Sequence, residues 1–180
     1  MNDEWQRELG LFLKVKDQYR LGDLPTERPH SKSKNLSLLA KTSIRDAYKI
    51  FFEIDHDALT VLKNNLSQVE EMGRAIHATL ARGRSIFISG CGATGRLALS
   101  IEKLWRDSHP NHPLENRVVA FMAGGDLAFI HSLESFEDHP EFGARQLREL
   151  GFADGDMLIA VTEGGETPFV IGTVWEALKI

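Results

Sequence analysis

The residues best suited to chemistry form a glycine-rich stretch, Gly90-Cys91-Gly92-Ala93-Thr94-Gly95-Arg96. An apolar β-type run, 85–89, precedes it, and a helix-type run, 97–106, follows it. Glycines let a backbone approach a ligand closely, and the free N–H groups at the start of a helix point at negative charge. The stretch therefore predicts a site for an anionic group.

A second junction has the same design. The apolar run 156–161 leads into Thr162-Glu163-Gly164-Gly165-Glu166-Thr167-Pro168, after which a helix pattern begins. If both loops lie above one sheet, we expect them to form a pocket.

The elements that must position these loops alternate between strand and helix from Ser85 onward. The patterns predict strands at 85–89, 118–122 and 156–161, and helices at 95–107, 126–136, 142–150 and 168–179. Such alternation is typical of a doubly wound parallel α/β sheet with helices on both faces. Ligands on these sheets bind at the carboxyl ends of the strands, where both loops lie.

The first half of the chain predicts helices and an extended arm. An amphipathic helix spans 2–20, the polar arm spans 21–37 and could lie over a neighbouring subunit, and helices span 43–54 and 55–82. Ser43 or Thr42 with Asp46 is a capping signal, and Gly83 ends the last helix.

We predict domains at 1–37, 38–83 and 84–180. Since doubly wound sheets usually have about five or six strands, we expect the sheet to be truncated after the third strand of a longer protein.

Composition narrows the class of protein. The chain has 180 residues, a net charge of −5 and one cysteine. No basic patch indicates nucleic-acid binding, an intrachain disulfide is impossible, and no run of about 20 apolar residues indicates a membrane span. We expect a cytoplasmic protein without nucleic-acid or membrane partners. His109 and His112 are too few for a metal site, and we expect no metal and no cofactor.

The stretch 90–95 also matches the G-x-G-x-x-G pattern of dinucleotide sites. That pattern requires an acidic residue about 20 positions further on, at the end of the second strand. Asp126 lies 31 residues past Gly95, and a dinucleotide leaves the second loop unexplained. Dinucleotide binding is therefore the weaker hypothesis, and glycines needed only for a tight turn are a further alternative.

Several ordered motifs resemble sugar isomerase (SIS) domain proteins, in particular N-acetylmuramic acid 6-phosphate etherases and glucokinase regulatory proteins. The likeness covers about residues 24–180. The stretches that carry it are 24–27, 31–33, 90–97, Ala123-Gly124-Gly125, Glu134-Ser135-Phe136-Glu137-Asp138 and 167–172.

The resemblance implies a five-stranded, flavodoxin-like, three-layer SIS sheet, a homodimer or tandem SIS pair, and a phosphorylated amino sugar as ligand. It assigns ligand contacts to the two loops, with the Thr94 and Thr167 hydroxyls as donors to phosphate. The candidate ligand-binding residues are Gly92, Ala93, Thr94, Gly95, Arg96, Gly164, Gly165 and Thr167. Arg96 could contact an anion or form an ion pair, and Cys91 is expected to be a small buried loop residue.

The resemblance also implies acid–base chemistry by two carboxyl groups. One removes a proton next to the sugar carbonyl, and the other protonates the departing lactate oxygen. Glu137 matches one family position, whereas Leu104 occupies the other. The nearest replacement, Glu102, lies two residues earlier, which turns a helix by about 200° and directs it away.

The second loop departs from the etherase pattern as well. Glu166 stands where etherases carry arginine, and Glu163 adds a carboxylate; each disfavours a nearby phosphate by about 1–4 kcal/mol. Three functions stay open. They are an etherase-like lyase that uses Glu137, a non-catalytic sugar-phosphate sensor indicated by Leu104 and the altered loop, and a structural dimerisation fragment.

Overall fold

The computed structural model describes residues 3–18, 24 and 26–180, without the side chains of residues 3–6, 8, 18 and 134. The chain divides into two compact units, Met1–Asn65 and Leu66–Ile180. The first unit contains α1 (Asp3–Val15), 3-10 turns at Lys16–Gln18 and Ser31–Ser33, α2 (Leu36–Thr42) and α3 (Ile44–Asn64). The ends of the predicted first helix, at 2 and 19–20, and residues 21–23 and 25 of the predicted arm lie outside the described residues.

The helix boundaries of the first unit differ from the sequence prediction. The Ser43 hydroxyl accepts the Asp46 N–H at 3.4 Å and caps α3, which confirms the capping signal. The predicted boundary between two helices at Asp55 is wrong, because α3 continues to Asn64. The interruption falls at Asn65, whose side-chain amide donates to the Val61 carbonyl at 2.7 Å. Asparagine side chains compete in this way with the helical backbone, so they favour helix ends.

The predicted arm, 21–37, is partly helical. Its described part contains the 3-10 turn Ser31–Ser33, and α2 begins at Leu36. The Lys32 ammonium donates to the Asp57 carboxylate of α3 at 2.6 Å. A tertiary ion pair thus gives local structure to a segment whose composition predicts none.

The second unit carries the sheet. It begins with α4 (Leu66–Ala81) and continues with β1 (Ile86–Gly90), α5 (Gly92–Ser108), β2 (Val118–Met122) and α6 (Leu127–Ile130). A 3-10 turn (Glu134–Phe136), α7 (Pro140–Glu149), β3 (Met157–Ala160) and α8 (Pro168–Ala177) follow. The three strands are parallel, with Ile86 opposite both Val118 and Met157, which confirms the predicted α/β class and parallel sheet.

The strand order is β2-β1-β3. The chain moves from β1 to β2 on one side and then returns to place β3 on the other side, so the order reverses around β1. This agrees with the flavodoxin-like order, in which the third strand neighbours the first. A dinucleotide-binding half would place its third strand beyond the second, and the topology therefore disfavours that hypothesis.

Alternating residues of the strands build a core on each face of the sheet. Phe87 and Phe121 pack with Leu147 of α7 and with Phe169 and Val170 of α8. On the opposite face, Ile86, Ile88, Val118 and Ala120 pack with Ala98 of α5, and Ile76 and Leu80 of α4 lie against this cluster. Successive strand residues point to opposite faces, and the result is the three-layer arrangement expected from the sequence.

Two helix predictions in this unit are corrected. The helix after β1 begins at Gly92 rather than at residue 95, so the glycine stretch forms its first turn. The predicted helix 126–136 is wrong: α6 has four residues, and His131 and Leu133 are extended before the 3-10 turn. The other predicted helices in the sheet region, 142–150 and 168–179, lie within two residues of α7 and α8.

Candidate functional site

The junction between β1 and α5 is held together by glycines that leave no room for a side chain. A Cβ on Gly90 would lie 2.6 Å from the Gly95 nitrogen, and a Cβ on Gly95 would lie 2.6 Å from the Met122 Cβ. Gly92 has a φ of +53°, a left-handed conformation that other residues rarely adopt. Close helix–strand packing and a tight turn therefore account for all three glycines of the G-x-G-x-x-G match that lie in this junction.

Thr94 secures the first turn of α5. Its hydroxyl accepts the Cys91 N–H at 3.1 Å and donates to the Cys91 carbonyl at 2.8 Å. A threonine hydroxyl has one proton to donate, and that proton is already engaged here. The predicted donation from Thr94 to a phosphate would require this hydroxyl to rotate.

Glu137 connects the starts of α5 and α8. Its carboxylate accepts from the Cys91 thiol at 3.3 Å, beside the N-terminus of α5. Its backbone carbonyl accepts the Phe169 N–H at 2.9 Å, in the first turn of α8. The partial positive charge of a helix N-terminus stabilises a nearby carboxylate. The half-buried Glu137 is thus held between the two junctions that the sequence singled out.

A cavity of about 60 Å³ lies beside Glu137 at the carboxyl ends of β1 and β2. Of the predicted site residues, Gly92, Arg96 and Glu137 line it. The other lining residues are Cys91, Met122, Ala123, Ala128, Ser132 and Leu133. Sequence reasoning noted Ala123 only as part of a motif and missed Ser132 and Leu133. It missed them because it placed 126–136 in one helix, although the motif after β2 is one of the stretches that carry the family resemblance.

Arg96 positions the segment after β2. Its guanidinium donates from Nε to the Phe129 carbonyl and from Nη2 to the Ala128 carbonyl, each at 3.2 Å. These are carbonyls of α6, where a cation is favourable at the helix C-terminus. Two of the five guanidinium N–H groups are used in this way, so Arg96 binds backbone and still lines the cavity.

The second glycine loop forms an ordered turn but does not line this cavity. The Thr162 and Thr167 hydroxyls lie 3.1 Å apart, and Gly165 has a φ of +82° between them. Thr167 precedes Pro168 at the first position of α8, where the missing N–H costs nothing. Gly164, Gly165 and Thr167 follow β3, which pairs with β1 on the side opposite β2. They do not line the cavity, which lies at the ends of β1 and β2.

Glu102 serves the sheet edge. Its carboxylate accepts from Arg106 Nε at 2.9 Å and Nη2 at 2.7 Å, and from the Ala120 N–H of β2 at 2.6 Å. It therefore satisfies an edge-strand donor and does not line the cavity. Leu104, at the matching etherase position, is 67% exposed. Glu137 is the one carboxylate among the described residues that line this cavity.

His109 and His112 have packing partners. The His109 ring stacks on Trp105 with centroids 4.0 Å apart, and His112 Nδ1 accepts the Leu114 N–H at 3.2 Å. Within the described ranges, no group of three or more His, Cys, Asp or Glu side chains is arranged to hold a metal ion. None of the described helices combines the length and the apolar character that crossing a membrane requires.

A parallel sheet of order β2-β1-β3, with glycine-rich junctions at the ends of β1 and β3, defines a flavodoxin-like α/β domain with a candidate site at the carboxyl ends of its strands. A family model for the glucokinase regulatory protein N-terminal SIS domain matches residues 68–178. The chain therefore belongs to this SIS family, as its motifs predicted.

Curated relatives extend the likeness beyond the sheet. An N-acetylmuramic acid 6-phosphate etherase of Rippkaea orientalis is 34% identical over 161 residues, which cover 88% of this chain and 50% of that protein. Etherases of Francisella philomiragia (26% identical, 89% and 53% covered) and Klebsiella aerogenes (29% identical, 86% and 50% covered) are also similar. The chain spans about half the length of these relatives.

Proposed function

We propose that this chain is the phosphosugar-binding half of an SIS protein. The observation that carries the proposal is the glycine-rich first turn of α5, from which Gly92 and Arg96 line a small cavity at the carboxyl ends of β1 and β2. Membership in the SIS family and relatives named for a sugar-phosphate substrate support it. The proposed phosphate contacts are Gly92, Ala93, Thr94, Gly95 and Arg96 in the first junction and Gly164, Gly165 and Thr167 in the second.

The size of the cavity bears on how such a ligand would bind. Ligand pockets usually enclose about 300–1,000 Å³, whereas this cavity holds about 60 Å³. A sugar phosphate would therefore extend out of it, across the carboxyl end of β1 toward the second loop. Residues from a second SIS domain would complete its enclosure.

The activity we propose is an etherase-like lyase on N-acetylmuramic acid 6-phosphate or a similar ether. A carboxylate removes the proton from the carbon between the carbonyl and the ether carbon. The ether C–O bond then breaks, its electron pair leaves with the lactyl oxygen, and a proton from an acid joins that oxygen. Lactate is released at this step, and addition of water to the C=C bond left in the sugar would give the hydroxy sugar. Glu137 supplies one of the two carboxyl groups.

Lactate release from N-acetylmuramic acid 6-phosphate tests the lyase. We expect release by the unmodified chain and its loss, by at least about 100-fold, in Glu137→Gln, with binding of the sugar phosphate retained. Glu141→Gln is the matched control, because Glu141 is an exposed carboxylate outside the cavity. Full turnover by Glu137→Gln would refute the assignment of Glu137.

A non-catalytic sugar-phosphate sensor is the second candidate. The observation that favours it is the single carboxylate on the cavity, since Glu102 is engaged with Arg106 and Ala120 and Leu104 is apolar. A sensor would be stabilised by fructose 6-phosphate or N-acetylglucosamine 6-phosphate and release no lactate. At 100 times its dissociation constant such a ligand adds about 2.7 kcal/mol to the free energy of unfolding. Stabilisation by unphosphorylated sugars alone would contradict phosphosugar binding at the two junctions.

A further inference from the structure

A larger groove lies next to the small cavity. It has a volume of about 380 Å³, and Phe136, Phe142 and Phe169 form its apolar wall, whereas Arg145, Gln146 and Glu149 of α7 form its polar side. Its volume falls at the lower end of the range for small-molecule sites, about 300–1,000 Å³. A peptide or protein partner would need far more contact area than this groove offers.

The aromatic wall combines an anchored ring with two accessible ones. Phe169 is 1% exposed and belongs to the core, whereas Phe136 and Phe142 are each 39% exposed. The centroids of the Phe136 and Phe142 rings lie 5.7 Å apart with an interplanar angle of 47°. The His139 ring stacks on Phe142 with ring centroids 4.7 Å apart and supports it. Because the two accessible rings are inclined to each other, a flat apolar face could lie on one ring with its edge against the other.

The polar side of the groove carries balanced charge. Arg145 Nε lies 2.7 Å from Glu149 Oε1, so this cation and anion neutralise each other. Gln146 lies between them in the chain, is half-buried, and provides an amide donor and an amide acceptor. A phosphate would have to compete with the Glu149 carboxylate for Arg145, and this arrangement favours an uncharged ligand with several hydroxyl groups.

We propose that this groove binds the ring of an uncharged monosaccharide. A pyranose has an apolar C–H face that can lie on the Phe142 ring with its edge against Phe136. Its hydroxyl groups can accept from Arg145, donate to Glu149, and do both with Gln146. The site is separate from the proposed phosphosugar site and goes beyond that function. The two sites share a wall, because Phe136 precedes Glu137 and Gly124 follows Ala123.

Saturation-transfer NMR on the full chain with N-acetylglucosamine and glucose tests the proposal. We expect transfer to the C–H protons of one ring face and a dissociation constant about tenfold weaker in Phe142→Leu, which keeps apolar bulk but loses the flat ring. Gln146→Ala, a change outside the core, should also weaken binding several-fold. Trp175→Leu is the matched control, because Trp175 is an aromatic residue of the same unit, 59% exposed and outside the groove; it should change the constant less than twofold.

Other results would overturn the proposal. The first is binding by Phe142→Leu and Gln146→Ala that is as tight as binding by the unmodified chain. The others are saturation transfer only to glucose 6-phosphate and preference for benzyl alcohol over both sugars. Glu137→Gln separates the two sites: it should leave binding of the uncharged sugar unchanged whether or not the chain binds or cleaves a sugar phosphate.

Discussion

At the residue scale, Glu137 joins two parts of the chain that are distant in sequence. Its side chain meets Cys91 and its backbone carbonyl meets Phe169, so a single residue is bonded to the first turns of two helices. Its neighbour Phe136 points into a different cavity. The last residue of the 3-10 turn and the residue that follows it thus serve two candidate sites.

Thr94 allows a test of the junction at a single hydroxyl group. Thr94→Val keeps the shape of the side chain but removes both hydrogen bonds to the Cys91 backbone, and we expect it to lower the free energy of unfolding by about 0.5–2 kcal/mol. Urea denaturation measures this loss. Thr94→Ser is the matched control and should retain most of the stability. Equal stability of the two variants would show that the hydroxyl does not secure the helix start.

At the element scale, α7 and α8 cross so closely that glycine is required on each helix. A Cβ on Gly143 of α7 would overlap the Phe169 carbonyl oxygen, and a Cβ on Gly172 of α8 would overlap the Pro140 carbonyl oxygen. Behind this crossing, the buried Ser89 and Thr173 hydroxyls lie 2.9 Å apart and join α8 to β1. The crossing therefore sets the position of the first turn of α8 and, through Phe169, of Glu137.

Substitution of these glycines should be costly. We expect Gly143→Ala to lower the free energy of unfolding by about 1–3 kcal/mol, because the added methyl group meets backbone that cannot move aside cheaply. Gly73→Ala in α4 is the control: nothing lies within 4 Å of its Cβ, and a helical alanine should gain about 0.5–1 kcal/mol. Chemical denaturation of both variants gives the comparison, and a neutral Gly143→Ala would contradict the close crossing.

At the scale of the whole molecule, stability in acid should depend on Glu176. Its carboxylate is 8% exposed and lies 2.8 Å from Arg148 Nη1 and 3.1 Å from Lys179 Nζ, joining α8 to α7. The hydrogen bonds from Arg148 and then from Lys179 hold the pKa of Glu176 below its ordinary value. The Glu176 carboxylate therefore binds a proton less readily in the folded state than in the unfolded state. The stabilisation that its ion pairs give the folded state is present above the ordinary glutamate pKa.

We expect the stabilisation from Glu176 to decline as the pH falls below about 4.3, the ordinary glutamate pKa, and to vanish below the folded-state pKa. Glu176→Gln should lower the melting temperature at pH 7 and flatten its fall in acid. Glu149→Gln, which breaks an exposed pair on α7, should change both very little. If the acid profiles of wild type and Glu176→Gln run parallel, the pair does not contribute this pH dependence.

The assembly of the molecule stays a prediction. Leu97, Ile101 and Leu104 are exposed at helical spacing on α5, which fits the expected homodimer or tandem SIS partner without testing it. The domain limits 1–37, 38–83 and 84–180 likewise stay predictions. The structure groups the chain into the units Met1–Asn65 and Leu66–Ile180.

The sequence by itself determined the fold class, the family and the two glycine junctions. Apolar runs buried on both sheet faces, and glycines where no side chain fits, leave strong local signals such as 85–89 and Gly90. Local signals failed at 126–136. The composition there is compatible with a helix, but tertiary hydrogen bonds from Arg96 engage the α6 carbonyls. Only the tertiary structure decided that Glu102 serves the β2 edge, that Glu137 lies beside Cys91, and that Phe136 and Phe142 line one groove. The first two contacts join residues 18 and 46 positions apart, and the two phenylalanines, 6 positions apart, belong to separate elements. No local sequence pattern determines which of these contacts form.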